Sequence, residues 1–182
     1  MTVIRQVRLC GLGGQGIVLA GLLLGQAGVI DGKYVSGSSS YGAQARGSEC
    51  TSDIIFSDHP IDYPHLTAAD VLVAMSQRTY DLYSKDVREP SGFILYDRGM
   101  VTPGDDLLVR QEGIPATEYA VKKLKNKQMA NILLMGALVE IRKLVSSKAM
   151  KKAILFHVSE RFKEINLKTL RLGMEMARRK DG

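Results

Sequence analysis

Apolar and polar positions alternate in blocks up to about residue 115, and these blocks predict strands and helices in turn. Residues 14–30 are almost wholly apolar and predict a helix that stops at Asp31-Gly32. Ser76 is expected to cap a helix that runs through Tyr83. Strands are expected at 3–10, 34–35, 50–57, 70–75, 93–96 and 107–110. The small polar residues 36–42 predict a loop.

From residue 115 onward the pattern is helical, with helices expected at 117–125, 128–145, 148–162 and 167–180. The helix over 128–145 has few polar positions, which indicates burial against several neighbours. Strands alternating with helices, followed by helices alone, predict an α/β fold of three layers with a mostly parallel sheet and a helical C-terminal part. The length favours a single domain over residues 1–182.

Composition indicates a compact protein, with 45% hydrophobic and 24% charged residues. No apolar run is long enough to span a membrane and no signal peptide is recognisable, so a cytoplasmic location is expected. Of the net charge of +6, residues 142–180 carry +9, from twelve Lys or Arg and three Glu, which leaves −3 elsewhere. We interpret this segment as a solvated helix face, since no aromatic residues or nucleic-acid motif accompany it. Docking of an acidic partner is the alternative.

Candidate catalytic and metal-binding residues are scarce. The two cysteines, Cys10 and Cys50, cannot supply a disulfide scaffold or a four-thiolate iron–sulfur or zinc site. The three histidines, at 59, 65 and 157, have no spacing that suits a metal. We therefore predict no catalytic residue and no metal site in this chain.

The strongest local motif is the glycine-rich stretch between the first strand and the first helix. It follows the G-x-G-x-x-G pattern, whose glycines allow a tight turn and leave helix N–H groups that favour a phosphate or carboxylate. The candidate ligand-binding residues are Gly11, Gly13, Gly14, Gln15 and Gly16. A dinucleotide site would need an acidic residue about 20 positions later, where this chain has serines at 36 and 38–40. The alternative is a turn that only packs strand against helix.

A second candidate loop combines hydroxyl groups with one guanidinium. Its proposed ligand-binding residues are Ser40, Tyr41, Gly42, Arg46 and Gly47. Arg46 could hold a phosphate or carboxylate through two parallel hydrogen bonds. A surface turn with an intrachain ion pair is the alternative interpretation.

Along the chain, these two loops are followed by the turn Ile61-Asp62-Tyr63-Pro64, the strand start Ala69-Asp70 and the helix over 131–138. Together they resemble the gamma subunit of the 2-oxoacid:ferredoxin oxidoreductases, over essentially the whole chain. The length and the segment Met75-Ser76-Gln77 are most similar to the separate gamma chain of the 2-oxoglutarate type.

The resemblance implies a chain that is inactive alone and covers the coenzyme A side of a multisubunit active site. Thiamine diphosphate, magnesium and iron–sulfur clusters would belong to the alpha, beta and ferredoxin-like subunits, with ferredoxin as electron acceptor. The reaction would be oxidative decarboxylation of a 2-oxoacid to an acyl-CoA. In the family two glycines often follow the arginine, whereas this chain has Gly47-Ser48.

Two other functions remain open from the residues alone. One is a free-standing, NAD(P)-binding oxidoreductase with a Rossmann-like fold, which the absent acidic residue near position 36 disfavours. The other is a purely structural subunit that docks through its apolar helices and basic C-terminal segment.

Overall fold

A computed structural model describes residues 4–42 and 47–179. Its centre is one six-stranded sheet with the order β2-β3-β1-β4-β5-β6. β1, β4, β5 and β6 are parallel, whereas β3 runs antiparallel to both of its neighbours, β1 and β2. The strands are β1 (Ile4–Leu12), β2 (Tyr34–Tyr41), β3 (Glu49–Ser57), β4 (Val71–Ala74), β5 (Phe93–Asp97) and β6 (Arg110–Ile114).

Helices cover both faces of this sheet. They are α1 (Ile17–Ile30), α2 (Gln77–Tyr83), α3 (Ala116–Lys122), α4 (Ala130–Arg142), α5 (Ser147–His157) and α6 (Glu160–Arg178). The larger core joins one sheet face to α1 and α3–α6, and a smaller one joins the other face to α2 and nearby connections. Val71 and Val73 lie in the larger core and Leu72 and Ala74 in the smaller one, as alternation along a strand requires. The three-layer α/β prediction is confirmed. Among the described residues no helix has the length and apolar character to cross a membrane.

The N-terminal predictions are confirmed, with shifted ends. β1 continues through Leu12, and α1 begins at Ile17 rather than at Gly14. Ser76 caps α2 as expected, since its hydroxyl accepts from the N–H of Thr79 at 3.4 Å.

The predicted loop at 36–42 is wrong, because β2 continues through Tyr41. Small polar residues form a strand here since each of them pairs with a residue of β3. The strand expected at 107–110 is also misplaced, because β6 spans Arg110–Ile114. Its buried positions are Gly113 and Ile114, whereas Leu108 is 74% exposed.

The last two predicted helices divide at the wrong place. The break lies at Val158 and Ser159, whose extended backbone separates α5 from α6. Ser159 stands at the N-cap position and Glu160 in the first turn, where both residue types are favoured. Within α6, the hydroxyl of Thr169 is buried and donates to the carbonyl of Ile165 at 2.7 Å, so this polar group has a hydrogen-bond partner in the core.

Two glycines set the close crossing of α4 and α6. A Cβ atom on Gly136 would fall on the carbonyl oxygen of Leu170, and one on Gly173 would fall on that of Leu133. Because these obstacles are backbone atoms, no side-chain rotation can relieve them. The buried face of α4 therefore depends on glycine at both positions.

We expect Gly136→Ala to lower the free energy of unfolding by about 3 kcal/mol, because the added methyl forces the helices apart. Gly99→Ala is the matched control, since its Cβ would meet nothing closer than 3.7 Å. Urea unfolding of both variants measures the difference. Equal stability of the two would contradict the steric role of Gly136.

Candidate functional site

The glycine-rich turn lies at the carboxyl end of β1 and leads into α1. Gly14 and Gly16 have positive φ angles of 97° and 76°, which disfavour any residue with a Cβ. Gly16 is the N-cap of α1, and no side chain caps this end. The first turn of α1 contains no acidic residue, so the positive end of the helix dipole at this turn favours an anion.

Some backbone groups of the turn are already bonded within the protein. Gly13 donates its N–H to the carbonyl of Ser48 at 2.8 Å, and Gln15 donates its N–H to Leu12 at 3.0 Å. Among the described residues, the N–H groups of Gly14 and Gly16 have no partner. Of the glycines predicted to bind a ligand, Gly14 and Gly16 thus retain donors for one.

The Gln15 side chain braces the turn. Its Oε1 accepts from the N–H of Leu12 at 2.6 Å, and its Nε2 donates to the carbonyl of Met75 at 2.9 Å. A Cβ on Gly11 would lie 2.6 Å from this same Oε1, so Gly11 leaves the space that the amide occupies. Gln15 therefore ties the turn to the segment between β4 and α2.

Asn131, at the start of α4, braces the turn from the opposite side. Its Nδ2 donates to the carbonyl of Gly16 at 3.0 Å, and its Oδ1 accepts from the N–H of Ile132 at 2.7 Å. The side chain is buried, and a Cβ on Gly16 would fall on its Nδ2. Gly16 is thus constrained both by its left-handed backbone and by contact with Asn131.

The β2–β3 hairpin brings the second predicted loop to the same place. Gly47 donates its N–H to the carbonyl of Gly13 at 3.4 Å, and Gly42 donates to Glu49 at 3.1 Å. Ser40 and Tyr41 end β2 and are exposed, Tyr41 by 72%. Arg46, with residues 43–45, lies outside the described residues. The structure thus joins the two predicted loops through Gly13 and Gly47.

Three clefts surround the turn, and Gly14 lines all of them. The first, of about 270 Å³, lies toward α4 and α6 and includes Asn126, Asn131 and Asn166. The second, of about 280 Å³, also touches Gly47 and Lys127. The third, of about 380 Å³, faces the hairpin. The turn is therefore open to a ligand from several sides.

Lys127 and the amide side chains of these clefts were missed by the sequence analysis. Lys127 is exposed and lines the same cleft as Gly13, Gly14 and Gly47, so it supplies a cation beside free N–H donors. Asn126 accepts from the N–H of Gln128 at 3.1 Å and starts the 3₁₀ turn that precedes α4. The capping pattern at Asn126 can be recognised in the sequence, but no local feature links it to the glycine-rich turn more than 100 residues earlier.

Neither thiol is suited to act as a nucleophile near neutral pH. Burial raises the pKa of Cys10 to about 12. Burial also raises the pKa of Cys50, which lines the third cleft. Over the described ranges, no group of three or more His, Cys, Asp or Glu residues could hold a metal ion.

A family model described as pyruvate ferredoxin/flavodoxin oxidoreductase matches residues 6–176. The chain belongs to this family. It is 39% identical over 177 residues to the 2-oxoglutarate synthase subunit KorC of Methanocaldococcus jannaschii, covering 96% of this chain and 94% of that protein.

Solved structures of oxidoreductases share the fold. The gamma subunit of a keto/oxoacid ferredoxin oxidoreductase from Geobacter sulfurreducens is 34% identical, with a TM-score of 0.84, over 96% of this chain and 99% of its own. The 2-oxoglutarate:ferredoxin oxidoreductase from Magnetococcus marinus, solved with 2-oxoglutarate, coenzyme A and succinyl-CoA, superimposes with a TM-score of 0.85. It is 22% identical, and the match covers 97% of this chain and 31% of that one, which supports the fold alone.

We expect Gly16→Ala to be more destabilising than Gly14→Ala. Both impose a left-handed backbone on alanine, at about 1 kcal/mol, but the Gly14 position is open whereas the Gly16 position meets Asn131. The contact with Asn131 is expected to lower the free energy of unfolding of Gly16→Ala by about a further 2 kcal/mol.

A double-mutant cycle with Asn131→Ala, followed by urea unfolding, isolates that contact. Removing Asn131 should cost less stability in the Gly16→Ala background than in the parent chain. Additive effects would show that Asn131 does not constrain the turn.

Proposed function

We propose that this chain is the gamma subunit of a multisubunit 2-oxoglutarate:ferredoxin oxidoreductase. The full-length similarity to KorC carries the proposal, since each of the two chains covers more than nine tenths of the other. The site geometry is compatible with it, because the described residues that line the clefts include hydrogen-bond donors and a lysine. We assign the chain a part in binding rather than in bond making.

The reaction converts a 2-oxoacid, coenzyme A and oxidised ferredoxin to an acyl-CoA, carbon dioxide and reduced ferredoxin. The two electrons released by decarboxylation must leave one at a time through iron–sulfur clusters. This chain has only two cysteines, both buried, so those clusters belong to another subunit. We likewise assign thiamine diphosphate and its magnesium ion to partner subunits. The described residues include no group of three or more His, Cys, Asp or Glu that could hold a metal ion.

Within that assembly, we assign the glycine turn and the hairpin tip to the coenzyme A side. Coenzyme A carries phosphate groups and an amide-bearing arm. Gly14 and Gly16 offer N–H donors at the amino end of α1, and Lys127 offers a positive charge in the adjoining cleft. Arg46, which follows Gly42 and precedes Gly47 in the sequence, would add a second cation. The amides that line the cleft toward α4 match the polarity of the arm.

The strand order disfavours a dinucleotide site. In a nucleotide-binding βαβ unit the strand after the first helix lies parallel and near to the first strand. Here the strand after the first helix, β2, is not a neighbour of β1, because the antiparallel β3 lies between them and β2 forms the sheet edge. The serines that replace the ribose-binding acid therefore lie on the exposed edge strand.

We expect Lys127→Ala and Arg46→Ala to raise the KM for coenzyme A about tenfold each, the value of one charged hydrogen bond. The kcat should change less than twofold, because neither residue takes part in bond making. Steady-state kinetics of the reconstituted complex, supported by calorimetry with coenzyme A, measures both effects.

Lys151→Ala is the matched control, since this lysine is exposed on α5, away from the clefts. An unchanged KM and affinity in both site variants would contradict the coenzyme A assignment. It would leave the subunit assignment to be tested separately, by whether the chain co-purifies with the other subunits.

A further inference from the structure

Helix α1 is apolar on its solvent side as well as on its core side. Val18, Leu22 and Val29 are 43%, 49% and 54% exposed. From Ile17 to Ile30 the helix contains no charged residue. A helix that is apolar all round is normally buried on every side. This solvent face therefore indicates a missing neighbour.

The exposed apolar residues of α1 form a defined row. Val18, Leu22, Gly25 and Val29 follow the 4-3-4 spacing that places residues on one seam of a packed helix pair. Gly25 shows where this seam lies, because its Cβ would be 3.6 Å from the Cγ1 of Val35 in β2. The apolar seam thus lies on the side of α1 toward the sheet edge formed by β2.

β2 leaves a continuous row of backbone groups at that edge. Gly42 donates its N–H to the carbonyl of Glu49, so these two residues form a hydrogen-bonded pair. In an antiparallel ladder such pairs recur at every second residue, and on β2 the next ones toward its start involve Ser40 and Ser38. The N–H and C=O groups of the other residues therefore point away from the sheet. These outward residues are Val35, Gly37, Ser39 and Tyr41.

The described residues of β2 lack the sequence features that usually protect an edge strand against pairing. The segment at Pro64 touches the strand at one point, where its carbonyl accepts from the hydroxyl of Ser36 at 3.2 Å. Natural edge strands carry lysine, proline or a bulge to prevent association. Residues Tyr34–Tyr41 contain neither lysine nor proline, and their pairing with β3 is uninterrupted. The strand has no charged residue, so two copies of it would not repel each other.

We propose that a second copy of this chain pairs with β2, antiparallel, about a two-fold axis at Ser38. In this register Val35 lies opposite Tyr41 of the second copy, and Gly37 lies opposite its Ser39. All four outward residues of each strand then form hydrogen-bonded pairs. Moving the axis to Gly37 or Ser39 leaves an outward residue without a partner inside the strand. The strand is thus self-complementary in one register.

The same two-fold rotation about Ser38 brings the α1 seams of the two copies toward each other. Antiparallel pairing keeps both helices on one face of the joined sheet, because opposed side chains point to the same side. Gly21 and Gly28 face Ser52 and Phe56 of β3, and Gly25 faces Val35 of β2, so α1 lies above β3 on its β2 side. The two helix axes would then be separated by two to three strand spacings, about 10–14 Å. Packed helices lie about 8–10 Å apart, so the seams would meet through their outer side chains rather than by close backbone approach. Stable interfaces bury on the order of 1,200 Å² or more, and the helix seam adds apolar area that an edge alone lacks.

Cysteine cross-linking of the full-length chain tests the register. Ser38 would face its own counterpart as a non-hydrogen-bonded pair, with Cα atoms about 4.5 Å apart, which suits a disulfide. We expect Ser38→Cys to give a disulfide-linked dimer under mild oxidation. Ser36→Cys is the matched control, because Ser36 would face Ser40 and lie about 13 Å from its own counterpart. The double variant Ser36→Cys/Ser40→Cys should cross-link again.

A solution measurement tests the seam without added cysteines. We expect the parent chain to have the mass of a dimer by light scattering, and Leu22→Glu to weaken dimerisation at least about tenfold, since it places a carboxylate at the helix contact. Leu108→Glu is the control, because Leu108 is 74% exposed and lies between β5 and β6. Circular dichroism confirms that both variants are folded.

Two results would overturn the proposal. One is a monomeric parent chain, together with equal cross-linking of Ser38→Cys and Ser36→Cys. The other is a Leu22→Glu variant that loses a different subunit from the co-expressed complex while the chain itself remains dimeric. That second result would assign the surface to the other subunit. The coenzyme A assignment is tested separately, by the KM of the Lys127→Ala and Arg46→Ala variants.

Discussion

The close approach of α1 to β3 is the constraint on which the rest of the structure depends. Cβ atoms on Gly21 and Gly28 would overlap the side chains of Ser52 and Phe56, so the helix lies almost directly on the strand. Its amino end is thereby held beside the hairpin base, where Gly13 bonds to Ser48. Bulkier residues at these two positions would lift α1 and move the turn away from the hairpin.

Much of the fold was predictable, because burial and sequence pattern agree in most elements. β4 is fully buried and has the continuous apolar run expected of a parallel strand. Only the start of β2, at residues 34–35, was predicted, since most of its serines are exposed and the strand conformation of the rest comes from pairing with β3. The α5–α6 break was misplaced because apolar spacing continues past it, while the decisive feature is the extended backbone at Val158 and Ser159.

The candidate site was predictable only where its chemistry is local. The glycine turn could be located because its glycines adjoin a strand and a helix. The functions of Gly13 and Gln15 within the turn could not, because their partners are Ser48 and Met75, from other parts of the chain. Lys127 was missed for the same reason, since it enters the site through the position of α4.

The hydrogen bond from Asn131 to Gly16 joins residues 115 positions apart. A contact of such high sequence separation closes only after most of the chain is ordered, since the entropy cost of loop closure must be met first. The turn therefore acquires its final shape late in folding, when α4 docks. Conversely, local opening of α4 would release the Gly16 end of the turn, while Gly13 and Gln15 keep their bonds to Ser48 and Met75. Amide hydrogen exchange at that end is thus coupled to the stability of the C-terminal helices as well as to that of the sheet.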